Sequence, residues 1–242
     1  MRDNFPQRIK VGVTRLRVLY EDNHLLGVYK PGGVLVQGDS TRDETLIDLA
    51  KAYLKTKYNK PGNVYLGLVH RLDRPVSGVV LYARTSKAAS RLTREFATRE
   101  VEKIYFAVVS GRPAEEEGDL VSYIERVHRR SRMSGPESER AKEALLSYRV
   151  LARSDGLSLL EIVPKTGRHH QIRLQLAGIG LPVVGDIKYG SPGVLPDKTI
   201  ALHAGILDVK HPTRDERVRL SATPPAIHPW SLFQPTIDSR FE

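Results

Sequence analysis

The sequence predicts a single α+β domain built around a largely antiparallel sheet. Strand-like apolar segments outnumber helical ones, and most of them follow one another with short connections, as in antiparallel sheets. No internal repeat and no long linker divides the 242 residues. We therefore assign residues 16–230 to one domain, 1–15 to an N-terminal extension and 231–242 to a C-terminal tail.

The predicted strands are short apolar segments that end at turn-forming residues. Glu21-Asp22-Asn23 separates the first two strands, and Lys30-Pro31-Gly32-Gly33 ends the second. In chain order we expect strands at 16–20, 24–29, 64–69, 79–83, 103–109, 144–151, 157–163 and 203–209. The intervening segment 112–142 shows no regular pattern, because a run of three glutamates is followed by a basic run from Arg126 to Arg132.

Three segments carry apolar residues at helical spacing. These helices are expected at 45–53, 86–99 and 167–178. Thr45 and Asp48 have the spacing of a capping box, and Ser86 is the expected cap of the second helix. In the third helix, Ile172 and Leu176 should face inward because they are four residues apart.

The charge balance indicates an anionic partner. The 38 Lys and Arg residues outnumber the 28 Asp and Glu, which gives a formal net charge of +10. An excess of this size is typical of proteins that bind nucleic acid and of some that bind membrane surfaces. The simpler alternative is a basic protein whose charge serves only its solubility.

The sequence contains no cysteine, which excludes disulfides, a thiolate nucleophile and cysteine-bound metals. The first residues lack the apolar core of a signal peptide. No apolar run approaches the roughly 18–20 residues that span a bilayer. We therefore expect a cytoplasmic protein, monomeric and not associated with a membrane.

The sharpest candidate for chemistry is a charged loop, from His70 to Arg74, between two apolar segments. Charged groups at the end of a buried strand cost free energy unless they are paired or used. Asp73 lies beside Arg71 and Arg74, so it should stay ionised, which suits a nucleophile or a general base. An ion-paired turn is the simpler interpretation of the loop. A protein-kinase interpretation fails because Leu72 interrupts the motif and no glycine-rich phosphate loop accompanies it.

A second candidate is the basic segment from Lys165 to Arg173, which the pattern places at a helix N-terminus. Such a position favours anions. The adjacent histidines, His169 and His170, suggest a metal, but neighbours on a helix point about 100° apart and share a ligand site poorly. We therefore expect no metal here.

Further candidates are Tyr105 and two basic surfaces, namely the run from Arg126 to Arg132 and one face of the second helix. Tyr105 either belongs to the core or lines a cleft and stacks on a base. Lys87, Arg91 and Arg94 share one helix face, and phosphate contact is as reasonable there as ordinary solvation. Aromatic residues make up only 7% of the chain, which argues against a surface that stacks several bases.

These segments resemble, in order, the motifs of the RluA-type pseudouridine synthases. The run from His70 to Gly78 is similar to the family signature His-Arg-Leu-Asp-x-x-Thr-Ser-Gly, and the run from Lys165 to Arg173 to a later basic motif. Further matches are Lys30-Pro31-x-Gly33, Lys103-x-Tyr105-x-Ala107-x-Val109-x-Gly111, Gly185-Asp186-x-Lys188-Tyr189-Gly190, Leu202-His203-Ala204 and His211-Pro212. The set spans Leu16 to about Thr223 and is far more specific than any single motif.

The resemblance implies the pseudouridine synthase fold, in which helices flank a long, mixed but mostly antiparallel sheet with a central RNA-binding cleft. It implies an isomerase that converts a specific uridine of a structured RNA, either ribosomal or transfer RNA. It also implies that the reaction needs neither a metal nor another cofactor.

The resemblance further implies three catalytic residues. Asp73 matches the essential carboxylate, which attacks the anomeric carbon of the ribose or removes its 2′ proton. Tyr105 matches the tyrosine that packs on the base and is a candidate to remove the C5 proton. Arg173 matches the arginine that pairs with the carboxylate.

Other matching residues are expected to bind the substrate. Arg71 matches the arginine that helps to extrude the target base, and Leu174 matches an apolar position against the uracil. His70 and Arg168 belong to the same two motifs. With Lys87, Arg91 and Arg94, these residues complete the expected RNA-binding set.

The sequence departs from the family pattern at three positions and near its start. Val76 stands where threonine is usual, His169 where a small residue is common, and Gln175 where histidine often follows. The residues before Leu16 are too few for the S4 RNA-binding domain that many relatives carry, so we expect an S4-less member. The alternatives are a catalytically silent RNA-binding protein on the same fold, which the joint presence of Asp73, Tyr105 and Arg173 disfavours, and a membrane-surface protein, for which the sequence lacks an amphipathic anchor.

Overall fold

The computed structural model describes residues 16–38, 43–128 and 130–242. These residues form one 11-stranded sheet with few helices, which confirms the α+β prediction. The strands are β1 (Arg17–Glu21), β2 (Leu25–Lys30), β3 (Gly67–Leu68), β4 (Ser77–Ala83), β5 (Glu102–Ser110), β6 (Glu117–Val127), β7 (Arg130–Ser134), β8 (Lys142–Ser154), β9 (Leu157–Pro164), β10 (Leu202–Lys210) and β11 (Arg217–Ser221). The α-helices are α1 (Leu46–Lys57), α2 (Ser86–Thr98), α3 (Gln171–Gly178) and α4 (Gln234–Phe241).

The strand order places two central strands, β4 and β10, side by side. The main path runs β1-β2-β4-β10-β5-β9-β8-β6-β7, with β11 on β10 and β3 on β4. Every described pair is antiparallel except β4 with β10. Gly78 makes this parallel crossing possible, because its φ is +127° and a Cβ there would lie 2.2 Å from the carbonyl oxygen of Ala204.

The central strands are buried on both faces. On one face, Val80 and Tyr82 of β4 belong to the main apolar cluster, which also includes buried residues of α1. On the other face, Val79 and Leu81 pack in a second cluster with residues of α2. This double burial explains why β4 has a continuous apolar sequence rather than an alternating one.

The helices largely follow the apolar pattern. Thr45 and Asp48 form the expected capping box of α1. The cap of α2 is Thr85, whose hydroxyl accepts from the amide of Ala88, so the assignment to Ser86 was wrong by one residue. α3 begins at Gln171 rather than at Gly167, and the preceding basic residues form a loop.

Two strand predictions were wrong. Only Gly67 and Leu68 of the segment 64–69 pair with another strand, although Val64 and Leu66 are buried, so the apolar pattern there reports burial rather than strand pairing. The segment 112–142 contains a regular hairpin, β6–β7. Its outer strand, β7, lies at the sheet edge, and both strands are partly exposed, so they need few apolar residues and resemble a loop in composition.

The C-terminal segment contributes more to the fold than the prediction of a tail implied. Phe233 ends a short 3₁₀-helix and Ile237 lies on α4, and both are buried in the main apolar cluster. β11 was also absent from the predicted elements. Among the described residues, no helix combines the length and the apolar character that crossing a lipid bilayer requires.

Candidate active site

Asp73 lies in the loop between β3 and β4, and a buried lysine fixes that loop. The ammonium group of Lys30 donates to the carbonyl oxygens of Pro31, Arg74 and Val76 at 3.0, 3.0 and 2.6 Å. Burial lowers the pKa of Lys30 to about 7, while the charge of Asp73 acts in the opposite direction. The lysine therefore sets the path of the backbone on the C-terminal side of Asp73.

Arg173 brings α3 to this loop. Its Nη1 atom donates to Oδ2 of Asp73 at 3.0 Å, and its Nε and Nη2 atoms donate to the two carboxylate oxygens of Asp186 at 2.6 and 2.8 Å. Arg173 and Asp186 are both buried. A guanidinium held in a bidentate pair has little freedom, so Asp186 orients Arg173 toward Asp73.

Two histidines, His169 and His170, also lie close to the Asp73 carboxylate. Nε2 of His170 is 3.4 Å from Oδ2 of Asp73, and its Nδ1 is 2.7 Å from the hydroxyl of Tyr189. The His169 ring stacks on His170 with 3.8 Å between centroids, and its Nδ1 lies 2.9 Å from Oγ of Ser131.

The helical argument against a shared metal site was wrong in its premise, because both histidines precede α3. Possible ligand atoms of Asp73, His169 and His170 lie within 4.8 Å of one another. The geometry nevertheless fits a metal poorly. An imidazole binds a metal in the plane of its ring, and two nearly parallel planes do not share such a position. The positively charged guanidinium of Arg173 also contacts Asp73, which is the only carboxylate of this cluster.

An inner pocket opens beside Asp73. Its apolar lining includes Leu72 and Val76 of the loop that carries Asp73, Ile172 of α3 and Leu202 of β10, and Tyr105 of β5 adds an aromatic ring. Burial and the charge of Asp73 raise the pKa of Tyr105. The pocket therefore combines a flat aromatic ring, apolar contacts and a paired carboxylate.

The expected role of Leu174 is not what the structure shows. Leu174 is buried in a small cluster with Ile124 and Ala144, and it does not line the inner pocket. Ile172 lines the pocket instead. Two residues along a helix differ by about 200° in direction, so Ile172 and Leu174 face opposite sides of α3.

A wider, positively charged cleft surrounds the inner pocket. The inner pocket encloses about 130 Å³ and the outer cleft about 650 Å³. The outer cleft is lined by Arg71 and Arg168, as expected, and also by Lys103, Arg99, Arg126 and Lys165. These cations come from β5, the end of α2, the β6–β7 hairpin and the loop before α3, so the fold gathers them from distant segments.

His70 lines the outer cleft, and its ring also makes contacts that stabilise the fold. Its Nε2 accepts from the amide of Leu81 at 2.9 Å, and its ring stacks on Phe96 with 5.0 Å between centroids. Burial lowers the pKa of His70 to about 4. The side chain is therefore neutral near pH 7, and its contact with RNA remains a prediction.

Lys87, Arg91 and Arg94 are exposed on α2, as expected, but they do not line the cleft. Arg91 donates to the carbonyl oxygen of Pro212. The C-terminal residues of the same helix, including Arg99 just after its end, face the cleft instead. Phosphate contact by Lys87, Arg91 and Arg94 remains a prediction, and it would occur outside the lining of the cleft.

Sequence reasoning gave no role to Lys30, Asp186, His170 or Tyr189, although each lies in a motif quoted above. Lys30 holds the backbone of the loop that carries Asp73, and Asp186 holds the guanidinium of Arg173. Tyr189 lies within hydrogen-bond distance of His170, whose Nε2 is 3.4 Å from Oδ2 of Asp73. The sequence offered one signal for this arrangement. Asp186 is a charged residue in an apolar setting, and such a residue needs a partner.

Comparisons with known proteins identify the family of this chain. The family model described as RNA pseudouridylate synthase matches residues 24–178. The chain belongs to this family, and it is accordingly an isomerase that acts on RNA. The paired carboxylate, the aromatic wall and the basic cleft are consistent with that assignment.

Individual relatives carry more specific names. A protein of Rickettsia prowazekii named ribosomal large subunit pseudouridine synthase C is 35% identical over 211 residues, which cover 86% of this chain and 68% of the relative. A protein of Xanthomonas campestris named ribosomal large subunit pseudouridine synthase D is 36% identical over 224 residues, which cover 87% of this chain and 66% of the relative.

Solved structures share the fold. The human RNA pseudouridylate synthase domain containing 4 matches with a TM-score of 0.75 and 26% identity over 86% of this chain and 88% of that one. The human RNA pseudouridylate synthase domain containing 1 matches with a TM-score of 0.71 and 28% identity over 93% of this chain and 89% of that one. The predicted pseudouridine synthase fold is therefore confirmed.

Proposed function

We propose that this protein converts a uridine of large-subunit ribosomal RNA to pseudouridine, with Asp73 as the catalytic carboxylate. The observation that carries the proposal is the contact of Asp73 with Arg173 beside a pocket that Tyr105 and Leu202 line. Relatives at 35% and 36% identity that are named for the large ribosomal subunit favour ribosomal over transfer RNA.

The conversion rearranges one nucleoside. The bond from C1′ to N1 breaks, a bond from C1′ to C5 forms, the C5 proton leaves and N1 gains a proton. The atoms balance without an oxidant, a reductant or a second substrate, so the proposal requires no cofactor. The uridine must leave its stack to enter the inner pocket, as in other enzymes that act on a base.

The side chains at the pocket have separate roles in this proposal. Asp73 attacks C1′ or removes the 2′ proton, and either route needs the ionised carboxylate that Arg173 stabilises. Arg71, which is exposed beside the pocket, helps to extrude the uridine. The raised pKa of Tyr105 makes its phenolate costly near neutral pH, so we assign its ring to packing on the uracil and its hydroxyl to hydrogen bonding.

The test is conversion of RNA by the purified protein in the presence of a chelator. Large-subunit ribosomal RNA and transfer RNA, both transcribed in vitro, are incubated separately, and pseudouridine is mapped by chemical trapping. We expect conversion at specific uridines of the ribosomal RNA. Conversion of transfer RNA alone would replace the proposed substrate, and tight binding without conversion of either RNA would favour the catalytically silent alternative.

A further inference from the structure

The hydrogen bonds around Tyr189 run in one direction. The amide of Ser131 on β7 donates to the Tyr189 oxygen at 3.2 Å. The Tyr189 hydroxyl can then donate to Nδ1 of His170, which is 2.7 Å away. Its other neighbouring acceptor, the carbonyl oxygen of Ser131, is more distant at 3.4 Å.

This direction fixes the tautomer of His170. If Nδ1 accepts from Tyr189, a neutral imidazole carries its proton on Nε2, the atom 3.4 Å from Oδ2 of Asp73. The opposite tautomer would turn a lone pair toward the carboxylate and would leave the Tyr189 hydroxyl with the longer bond. Catalytic hydrogen bonds are often long before the substrate binds, so 3.4 Å is compatible with a contact that tightens in the complex.

The surroundings keep His170 neutral. Burial lowers its pKa to about 2, with further contributions from Arg173, His169, Lys188 and Arg126. The imidazole therefore acts as a polar N–H donor rather than as a cation. Arg173 provides the positive charge at this carboxylate.

The two donors use the same oxygen of Asp73. Both Nη1 of Arg173 and Nε2 of His170 approach Oδ2. Among the residues that the structure describes, none donates a hydrogen bond to Oδ1. The Asp73 side chain is 27% exposed and lines both the inner pocket and the outer cleft.

We propose that His170 and Tyr189 are positioning residues that hold Oδ2 of Asp73 beside Arg173, which leaves Oδ1 as the oxygen that reacts with the target nucleoside. The inference rests on the proposed role of Asp73 as the catalytic carboxylate. His170 orients the carboxylate, and Tyr189 orients His170. In other sites too, a hydrogen-bond partner on one nitrogen of a histidine ring determines what the other nitrogen does.

The tautomer is measured without RNA. The protein is labelled with ¹⁵N-histidine, and the ¹⁵N shifts of His170 are identified by comparison with His170→Gln among the eight histidines. We expect a neutral ring protonated at Nε2 from pH 5.5 to pH 8, and a mixture of tautomers in Tyr189→Phe. A ring protonated at Nδ1, or an imidazolium in this range, would overturn the inference.

The positioning role is measured by single-turnover conversion of large-subunit ribosomal RNA transcribed in vitro. His170→Ala should slow conversion by about tenfold or more, since a hydrogen bond to a charged group is lost, without weakening RNA binding. His170→Gln should recover most of the rate, because its amide restores an N–H donor near the position of Nε2. Tyr189→Phe should fall between them, since it retains the ring over which Arg173 lies 5.1 Å from the centroid.

Controls separate this inference from the proposed function. Tyr20→Phe removes a tyrosine hydroxyl that bonds to a remote aspartate, Asp22, and should leave the rate unchanged. If Asp73→Asn is inactive and His170→Ala converts RNA at the wild-type rate, only the positioning role is overturned. If Asp73→Asn is as active as the wild type, the proposed catalytic role fails together with the assignment of Oδ1.

Discussion

Two aspartates of this molecule have similar neighbours and different environments. Asp73 contacts Arg173 and His170, and Asp22 contacts Arg214 and His211 at 2.6 and 2.7 Å. A tyrosine belongs to each group: Tyr189 bonds to His170, and Tyr20 bonds to Asp22 directly.

The difference lies in the second oxygen. Oδ1 of Asp22 accepts from the amides of His24 and Leu25, both at 2.7 Å, while its Oδ2 accepts from the side chains. Both oxygens of Asp22 are therefore occupied, and the group ties the β1–β2 turn to the loop after β10. Among the described residues, no donor bonds to Oδ1 of Asp73, which lies beside a pocket. The residue types are shared, so reactivity depends on what each oxygen contacts.

Replacing the arginine beside each aspartate, Arg173 or Arg214, should give the largest difference in conversion rate between the two groups. Arg173→Ala should lower single-turnover conversion by about 100-fold or more, since it removes the charge next to the reacting carboxylate. Arg214→Ala, the matched variant at Asp22, should keep the wild-type rate.

Arg173→Ala also leaves Asp186 buried without its partner, so the variant needs a check of folding. Arg173→Lys retains the charge but not the bidentate geometry, and it should lie between wild type and Arg173→Ala. Equal single-turnover rates in the wild type and both folded variants would show that Arg173 does not act on Asp73.

A smaller effect is expected at Tyr105. Tyr105→Phe keeps the ring for packing on the uracil and removes the hydroxyl, so RNA binding should be normal. If the hydroxyl assists the late proton transfer, conversion should slow by about tenfold. The check is a rapid-quench experiment that compares the loss of uridine with the formation of pseudouridine; coincident wild-type rates would remove the hydroxyl from the mechanism.

The basic surfaces should affect binding rather than chemistry. Replacing Arg99, Arg126 and Arg168 by alanine should weaken RNA affinity and flatten the slope of log affinity against log salt by about 2–3. The matched triple replacement of Lys87, Arg91 and Arg94 should change the slope less, because these residues lie outside the lining of the cleft. A larger slope change for the α2 face would reverse this assignment of the RNA surface.

The smallest effect on turnover, and a clear effect on stability, is expected at Asp22. Its hydrogen bonds lower the pKa of Asp22 to about 2 against the opposing effect of burial. A lowered carboxylate pKa stabilises the folded state above the unfolded value of about 3.9, and this stabilisation is lost as the pH falls toward 2. Asp22→Asn should therefore show a flatter loss of thermal stability between pH 5 and pH 2. An equally steep loss would locate the acid sensitivity elsewhere.

Local patterns predicted elements better than they predicted contacts. Apolar spacing located α1 and the cap at Thr45, because both depend on neighbours in sequence. The same reasoning missed the β6–β7 hairpin, whose strands carry many charged and exposed residues, and β11, a strand of only five residues.

The site residues likewise divide into those that a local motif predicts and those that only the tertiary structure brings together. Asp73 and Arg173 were found through their motifs, whereas Asp22 and His211 are 189 residues apart, and no local pattern links them. Leu174 was misplaced because a motif gives the order of residues but not the face of a helix. Which oxygen of a carboxylate is occupied is a property of tertiary structure alone.

The most direct test of the account compares Asp73→Asn with Asp22→Asn on large-subunit ribosomal RNA that carries tritium at C5 of its uridines. Conversion to pseudouridine must release that hydrogen, so tritium released into water reports turnover in a single-turnover reaction. We predict release by wild type and Asp22→Asn at equal rates and none above background by Asp73→Asn, with RNA affinity retained in all three. Release by Asp73→Asn at the wild-type rate would contradict the account.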